Sequence, residues 1–100
     1  MNPILNLNKQ FENRVRLGIM SILVVNDWVE FGMLKEMLEL TDGNLASHLS
    51  ALEKNKYIEV RKQFVNRKPK TSYRVTMNGR NAFKKHIDAL EQLIAPSAKS

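Results

Sequence analysis

The chain has 100 residues, no cysteine and a formal net charge of +6, and 43% of its residues are hydrophobic. This composition predicts one folded domain over residues 1–100. The absence of cysteine excludes disulfides and thiolate metal sites, which fits a reducing compartment. The N-terminal segment has no signal-peptide pattern, and the longest apolar run is too short to cross a bilayer. We therefore expect a cytoplasmic protein without a membrane partner.

The helices of the first half of the chain follow from apolar spacing. Asn13 is a suitable N-cap for a first helix. The buried side of that helix is predicted to contain Val15, Ile19, Ile22 and Leu23. A short strand is expected over Trp28–Phe31, after which Gly32 caps a brief second helix. The second helix is predicted to bury Met33 or Leu34 together with Met37 and Leu38.

The third helix, predicted from Thr41 to about Asn55, has an uncharged outer face. The hydroxyl of Thr41 can accept from the N–H of Asn44, while Asp42 suits the positive end of the helix. The inner stripe is formed by Leu45, Leu49 and Leu52. The outer face is formed by Gly43, Asn44, Ser47, Ser50 and Ala51. Small polar side chains let a helix approach another surface closely, whereas a solvent-exposed helix more often carries Glu and Lys.

Alternating residues after the third helix predict a β-hairpin. On its first strand, Tyr57–Val65, one side carries Ile58, Val60 and Phe64, and Tyr73 and Val75 continue the alternation on the returning strand. The turn is expected to contain Asn66, Arg67, Lys68 and Pro69. Pro69 is assigned to this loop because it has no N–H for a sheet ladder.

The excess positive charge lies in this hairpin. Six basic residues and no acidic residue lie between positions 61 and 74, so the other ten basic residues balance all ten acids. The six are Arg61, Lys62, Arg67, Lys68, Lys70 and Arg74. A cluster of one sign indicates a surface for a polyanion. The alternative is an exposed strand edge that lysine and proline protect from aggregation.

The terminal helix, about residues 76–94, is capped by Thr76 and carries more apolar surface than one small core needs. The residues concerned are Phe83, Ile87, Leu90, Leu93 and Ile94. We expect them to pair with a second copy of the chain, helped by the N-terminal ILNL segment. The alternative is that the helix folds back over its own core.

Three segments carry a family resemblance: RVRLGIMSIL, LTDGNLASHLSALEKNKYIEV and KPKTSYRVTMNGRNAFKKHIDALEQLI. They resemble winged helix-turn-helix transcriptional regulators close to the MarR and ArsR groupings, and the likeness extends from Asn13 to Ile94. The fold it implies is mainly α with a small β-hairpin (α+β). It has a three-helix core, a wing and a long C-terminal helix.

The resemblance implies that the helix of residues 41–55 is a recognition helix and that the hairpin, about residues 61–74, is a wing. Candidate contacts to the DNA groove are Asn44, Ser47, His48, Ser50 and Ala51. Candidate contacts from the wing and its base, to phosphates or the minor groove, are Lys56, Arg61, Arg67, Lys68 and Lys70. Relatives often have glycine where this chain has Lys56, so either a non-glycine adopts that turn or the turn differs. The alternatives are a mobile charged loop and a merely polar helix face.

Other functions have less support from the sequence. It contains no phosphate-binding glycine loop, nucleophile elbow or metal-spaced triad, so we predict no enzyme activity, metal or cofactor. His48 and His86 are assigned to packing or partly exposed positions rather than to a metal site. We therefore predict a homodimeric, sequence-specific regulator that binds double-stranded DNA. The alternative is a protein-interaction winged helix that binds an acidic partner. An effector is unknown and would need a pocket between helices or subunits.

Overall fold

The computed structural model describes residues 2–95, in which four α-helices surround one end of a three-stranded antiparallel sheet. The helices are α1 (Arg14–Leu23), α2 (Phe31–Leu38), α3 (Asp42–Lys54) and α4 (Met77–Ile94). The strands are β1 (Val29–Glu30), β2 (Ile58–Val65) and β3 (Lys68–Val75), in the order β1-β3-β2. Two short 3₁₀ turns, Pro3–Asn6 and Lys9–Phe11, precede α1. The predicted α+β winged helix fold is confirmed.

Side-chain caps begin three of these helices where the sequence predicts. The carboxamide oxygen of Asn13 accepts from two N–H groups at the start of α1. The hydroxyl of Thr41 accepts from the N–H of Asn44 at 3.2 Å, and that of Thr76 accepts from the N–H of Gly79 at 2.9 Å. Each cap satisfies backbone donors that have no partner within their helix.

The second helix differs from its prediction. It begins at Phe31, directly after β1, so Gly32 lies inside its first turn and Glu30 is the N-cap residue without a side-chain bond. Leu34 is fully buried, but Met33 and Met37 are each 55% exposed. The predicted burial of Met37 is therefore wrong, because this short helix turns only a narrow stripe toward the core.

The core lies between α1, α2, α3 and the base of the sheet. The leucine stripe of α3 is buried as predicted and packs with apolar residues of α1 and α2. The fully buried members are Ile19, Met20, Leu23, Leu34, Leu45 and Leu52. Burying side chains of this size contributes about 1.5–3 kcal/mol each. This packing holds α3 in place and leaves its other face to solvent.

The hairpin turn is shorter than predicted. Only Asn66 and Arg67 lie between the strands, and both have positive φ (52° and 65°), as a two-residue type I′ turn requires. Pro69 belongs to β3 and faces Phe64. In a two-residue hairpin the residue pair next to the turn-closing pair, here Phe64 and Pro69, exchanges no backbone hydrogen bonds. On the other side of β3, β1 pairs only with Ser72 and Tyr73. Pro69 can therefore lie in the strand without the loss of a backbone hydrogen bond. The prediction that Pro69 belongs to the loop is wrong.

Phe64 departs from the expected burial as well. It shares a face of β2 with Ile58, but Ile58 is 2% exposed and Phe64 is 80% exposed. The strand extends past the helices, so its far half has no core to pack against.

The junction between the hairpin and α4 is tight. Lys56 adopts a left-handed conformation (φ 63°), so of the two expected alternatives the structure has a non-glycine residue in this turn. The carbonyl of Lys56 accepts from the Thr76 hydroxyl at 2.7 Å, and the carbonyl of Tyr57 accepts from the Thr76 N–H at 3.0 Å. A Cβ at Gly79 would lie 2.0 Å from the carbonyl oxygen of Tyr57. Gly79 is therefore the residue that allows α4 to approach this backbone.

The N-terminal segment is held against α4 by a buried histidine. His86 is 2% exposed, and its Nδ1 accepts from the backbone N–H of Asn8 at 2.9 Å. The side chain of Asn8 donates to the hydroxyl of Tyr57 at 3.0 Å. The ring of Phe11 packs against the rings of Tyr57, Phe83 and His86 at 5.2–5.5 Å between centroids. Burial lowers the pKa of His86 below its ordinary 6.5, and the charge of Glu12 offsets part of this.

The close approach at Gly79 gives a first prediction. Gly79→Ala should lower the free energy of unfolding by about 3 kcal/mol, because the new methyl group would overlap the backbone of Tyr57. The matched control is Gly32→Ala, where a Cβ meets nothing within 4 Å. In α2 it should stabilise the fold by about 0.5–1 kcal/mol. Denaturant unfolding measures both changes, and equal effects at the two positions would contradict the packing described here.

The buried histidine gives a second prediction. Because the pKa of His86 is lower in the folded chain, the unfolded chain binds a proton first as the pH falls below 6.5. Stability should therefore be full above that value and decline between pH 6.5 and the lower folded-state pKa. His86→Asn keeps an acceptor near the position of Nδ1 but does not titrate. Chemical denaturation at pH 7 and pH 5 should show that this variant loses less free energy of unfolding than the natural chain does. Equal losses of stability would exclude the effect of His86.

Candidate nucleic-acid interface

The outward face of α3 is uncharged, as the sequence predicts. Asn44, Ser47 and Ser50 are exposed, and Ala51 is partly exposed. Asp42, at the start of the helix, forms a 2.8 Å salt bridge with Lys35 of α2. Its charge is therefore partly neutralised, and the side chains beside it can approach a polyanion with little repulsion.

His48 lies at the edge of this face and is fixed by α1. Its Nδ1 lies 2.9 Å from Nη1 of Arg16, and Nε of Arg16 donates to the carbonyl of Gln10 at 2.7 Å. The pKa of His48 is lowered by burial and, to a smaller extent, by the charge of Arg16. Since the arginine can only donate, Nδ1 must accept, and Nε2 of the neutral ring carries the hydrogen. His48 is thus a positioned donor at the edge of α3.

Two of the wing cations, Arg74 near its base and Lys70 nearer the turn, form ion pairs within the chain. Arg74 forms salt bridges of 3.1 Å with Glu59 and 3.7 Å with Asp27. Lys70 lies 3.9 Å from the carboxylate of Glu30. Partly exposed pairs of this kind contribute little stability, but they reduce the charge that is available to a ligand.

The indole ring of Trp28 stacks with two of the wing arginines. The guanidinium carbons of Arg61 and Arg74 lie 4.3 Å and 4.5 Å from the centre of its ring, within the range of cation–π contacts. Nε of Arg61 is buried and has no hydrogen-bond partner among the described residues. Arg61 therefore makes a structural contact, which leaves its guanidinium less available to a ligand. The sequence does not place Trp28 in this role, because the stacking joins a loop before β1 to two other strands.

The uncompensated charge lies in the middle of β2 and at the hairpin turn. Lys62, Arg67 and Lys68 are exposed and form no salt bridge within residues 2–95. Lys62 belongs to the basic cluster that the sequence predicts, but the sequence does not mark it as a candidate contact. Its position is apparent only from the register, which pairs it with Thr71 beyond the reach of β1. Lys56 is exposed at the turn between α3 and β2.

A groove of about 710 Å³ separates the wing from the start of α2. It is lined by Lys62, Lys68, Lys70, Tyr73, Glu30 and Phe31, among others. Its three lysines come from both wing strands, so the groove is basic along one wall. Among the described residues no group of three or more potential metal ligands occurs. No helix in residues 2–95 is long and apolar enough to cross a bilayer.

The candidate dimer residues separate into two groups. Phe83 is 7% exposed and packs inside the chain, and Ile87 and Leu90 are partly buried. Leu93 and Ile94, at the end of α4, are 42% and 81% exposed. The first 3₁₀ turn packs along α4 and exposes Ile4 and Leu5. The first half of α4 therefore folds back over its own core, and the exposed apolar residues lie near its end and on the N-terminal turn.

Comparison with known proteins identifies the family. Residues 15–94 match a family described as "Winged helix DNA-binding domain". The chain belongs to this family. An uncharacterized protein of Methanocaldococcus jannaschii is 41% identical over 85 residues, which cover 85% of this winged helix and 92% of that protein.

Solved structures agree with this assignment. The transcriptional regulator homologue from Pyrococcus horikoshii superposes with a TM-score of 0.85 at 32% identity, covering 94% of this chain and 95% of that one. The transcriptional repressor BigR from Xylella fastidiosa shares the fold, with a TM-score of 0.68 at 23% identity over 96% of this chain and 90% of that one. The resemblance to winged helix regulators is confirmed, and this winged helix is a DNA-binding protein rather than an enzyme.

Proposed function

We propose that this winged helix is a sequence-specific transcriptional regulator that binds double-stranded DNA as a homodimer in the cytoplasm. Helix α3 enters the major groove, and the wing contacts phosphates or the minor groove. The observation that supports the proposal is the division of charge: an uncharged exposed face on α3, and wing cations that have no salt-bridge partner within residues 2–95.

The exposed face of α3 suits a groove in both size and chemistry. A major groove is about 12 Å wide and accepts a helix. The carboxamide of Asn44 has the paired donor and acceptor that match adenine, and Ser47 and Ser50 can bond to several base edges. His48, with Nε2 as its donor, adds a contact at the side of the helix. Ala51 leaves room for a thymine methyl group.

The wing supplies electrostatic attraction. Lys62, Arg67 and Lys68 have no competing acid in the described part of the chain, so their full charge is available to phosphates. Lys56, exposed at the turn between α3 and β2, adds a cation at the other end of the hairpin. Lys70 and Arg61 are weaker candidates, because one is near Glu30 and the other is stacked on Trp28. Such contacts position a protein on DNA without reading its sequence.

A twofold dimer would complete the site. The exposed apolar residues at the end of α4 and on the N-terminal turn form a surface that a second copy can cover. The domain is elongated, with extents of 61 × 25 × 21 Å, so an end-on contact would separate the two α3 helices. Two recognition helices related by a twofold axis bind half-sites about one helical turn apart.

The test is selection of bound duplexes from a random pool by the purified protein. A motif with two inverted half-sites about one turn apart would support both DNA reading and the twofold dimer. If no duplex is retained, and a copurified acidic protein is displaced by charge reversal at Lys68, the wing is instead a docking site for that partner.

A third prediction separates the roles of wing and helix. Lys68→Ala should weaken binding to all duplexes alike and reduce the slope of log affinity against log salt by about one unit. Asn44→Ala should leave that slope unchanged and alter the preferred sequence. Lys9→Ala, which removes an exposed cation outside the proposed surface, is the control. Fluorescence anisotropy at several salt concentrations provides the measurement. A loss of sequence preference in Lys68→Ala but not in Asn44→Ala would reverse the assignment.

A fourth prediction concerns the dimer. Ile94→Lys should convert the dimer to a monomer, because twofold symmetry would bury two charges without partners. Ile94 is 81% exposed, so the fold of the single chain should be unaffected. Val25→Lys is the control, since Val25 is 78% exposed and lies outside the proposed contact. Sedimentation velocity distinguishes the two states, and a dimer that survives Ile94→Lys would place the contact elsewhere.

A further inference from the structure

The wing presents a large apolar side chain among its cations. Phe64 is 80% exposed, which is unusual for a phenyl group on a soluble domain. Arg67 and Lys68 follow it in the hairpin, and Lys62 precedes it on the same face of β2. The pairs and stacked contacts at the base of the wing end before this position. Neither the basic cluster nor the family match explains why this ring is exposed.

The register determines the side of the wing on which the ring lies. Alternate residues of a strand face the same side, so Phe64 shares a face with Lys62, Val60 and Ile58. Ile58 is 2% exposed and belongs to the core, and α3 packs against β2. The same face therefore begins at the helical core and continues, past the basic groove, to the phenyl ring. This face also carries Lys62, one of the cations proposed to contact phosphates.

The backbone around the ring is restrained by a tight turn and by a proline. The two-residue turn of Asn66 and Arg67 closes the hairpin, and Pro69 lies directly opposite Phe64. Proline restricts its own backbone, and a tight turn holds the strand register. A phenyl side chain also has few rotamers to lose on binding. Phe64 can therefore be presented in one orientation without a large entropy cost.

We propose that Phe64 is a wedge that enters the minor groove and partly unstacks one base step in each half-site. The inference rests on the proposed function. The cations beside the ring would pair with the phosphates that border the groove, while the ring itself needs an apolar surface. Stacked bases offer that surface only when a step opens, and apolar wedges do this in minor-groove proteins.

A wedge selects sequence through deformability. Pyrimidine–purine steps such as TA and CA open more easily than A-tracts, because their stacking is weaker. Burial of one ring has to offset the cost of unstacking, so only an easily opened step gives a net gain. Phe64 thereby adds a preference for a flexible step under the wing, in addition to the base contacts of α3.

The experiment uses the full chain and the duplex that it selects from a random pool. 2-Aminopurine replaces adenine at successive positions of the segment beneath the wing, because its fluorescence rises when a base is unstacked. The natural chain is expected to raise the fluorescence at one step in each half-site. Phe64→Ala should bind roughly tenfold more weakly and, at saturating protein, give no rise. Phe64→Leu retains an apolar wedge and should keep most of the fluorescence rise.

Val25→Ala is the matched control, since it truncates another exposed apolar side chain away from the wing. A rise that persists in saturated Phe64→Ala complexes would overturn the wedge, as would natural-chain binding with no rise at any position. A change in the sedimentation of free Phe64→Ala would also overturn it, because Phe64 would then contact a second copy. Failure of the natural chain to bind any duplex would instead reject the proposed function itself.

Discussion

The close approach of α4 to the backbone at Tyr57 is the constraint on which the arrangement of the domain depends. Gly79 provides the space, and Thr76 joins the start of α4 to the turn after α3. That same turn leads from α3 into β2, so one junction orients a helix, a wing and a terminal helix relative to each other. A side chain at Gly79 would force the three apart, because backbone atoms cannot move aside as a flexible side chain can.

Charge is distributed along the wing according to packing. Near the helices, Arg61 and Arg74 stack on Trp28, and Arg74 pairs with two acids. These contacts stiffen the base of the hairpin at the expense of its free charge. Beyond the residues that β1 pairs with, Lys70 lies 3.9 Å from Glu30, whereas Lys62, Arg67 and Lys68 form no salt bridge among residues 2–95. A rigid base with a charged far end suits a polyanion, because attraction acts at the tip while the base holds its direction.

Much of the candidate site follows from local sequence. The caps at Asn13, Thr41 and Thr76 and the leucine stripe of α3 were predicted correctly, since each depends on residues a few positions apart. The start of α2 and the hairpin turn were predicted incorrectly. In both cases strand pairing decided the outcome: β1 ends directly in a helix, and the two-residue turn draws Pro69 into β3. The DNA contacts and the dimer remain predictions.

By itself, the sequence determined the order of the elements, the uncharged face of α3 and the clustering of positive charge, because periodicity, caps and composition are local properties. Only the tertiary structure decided which charges are free, since the acids near Arg74 and Lys70 include Asp27 and Glu30, distant in sequence. It also decided that Phe83 is buried while Ile94 and Phe64 are exposed. Apolar spacing marks one face of an element, but the length of the core against which it packs determines how much of that face is covered.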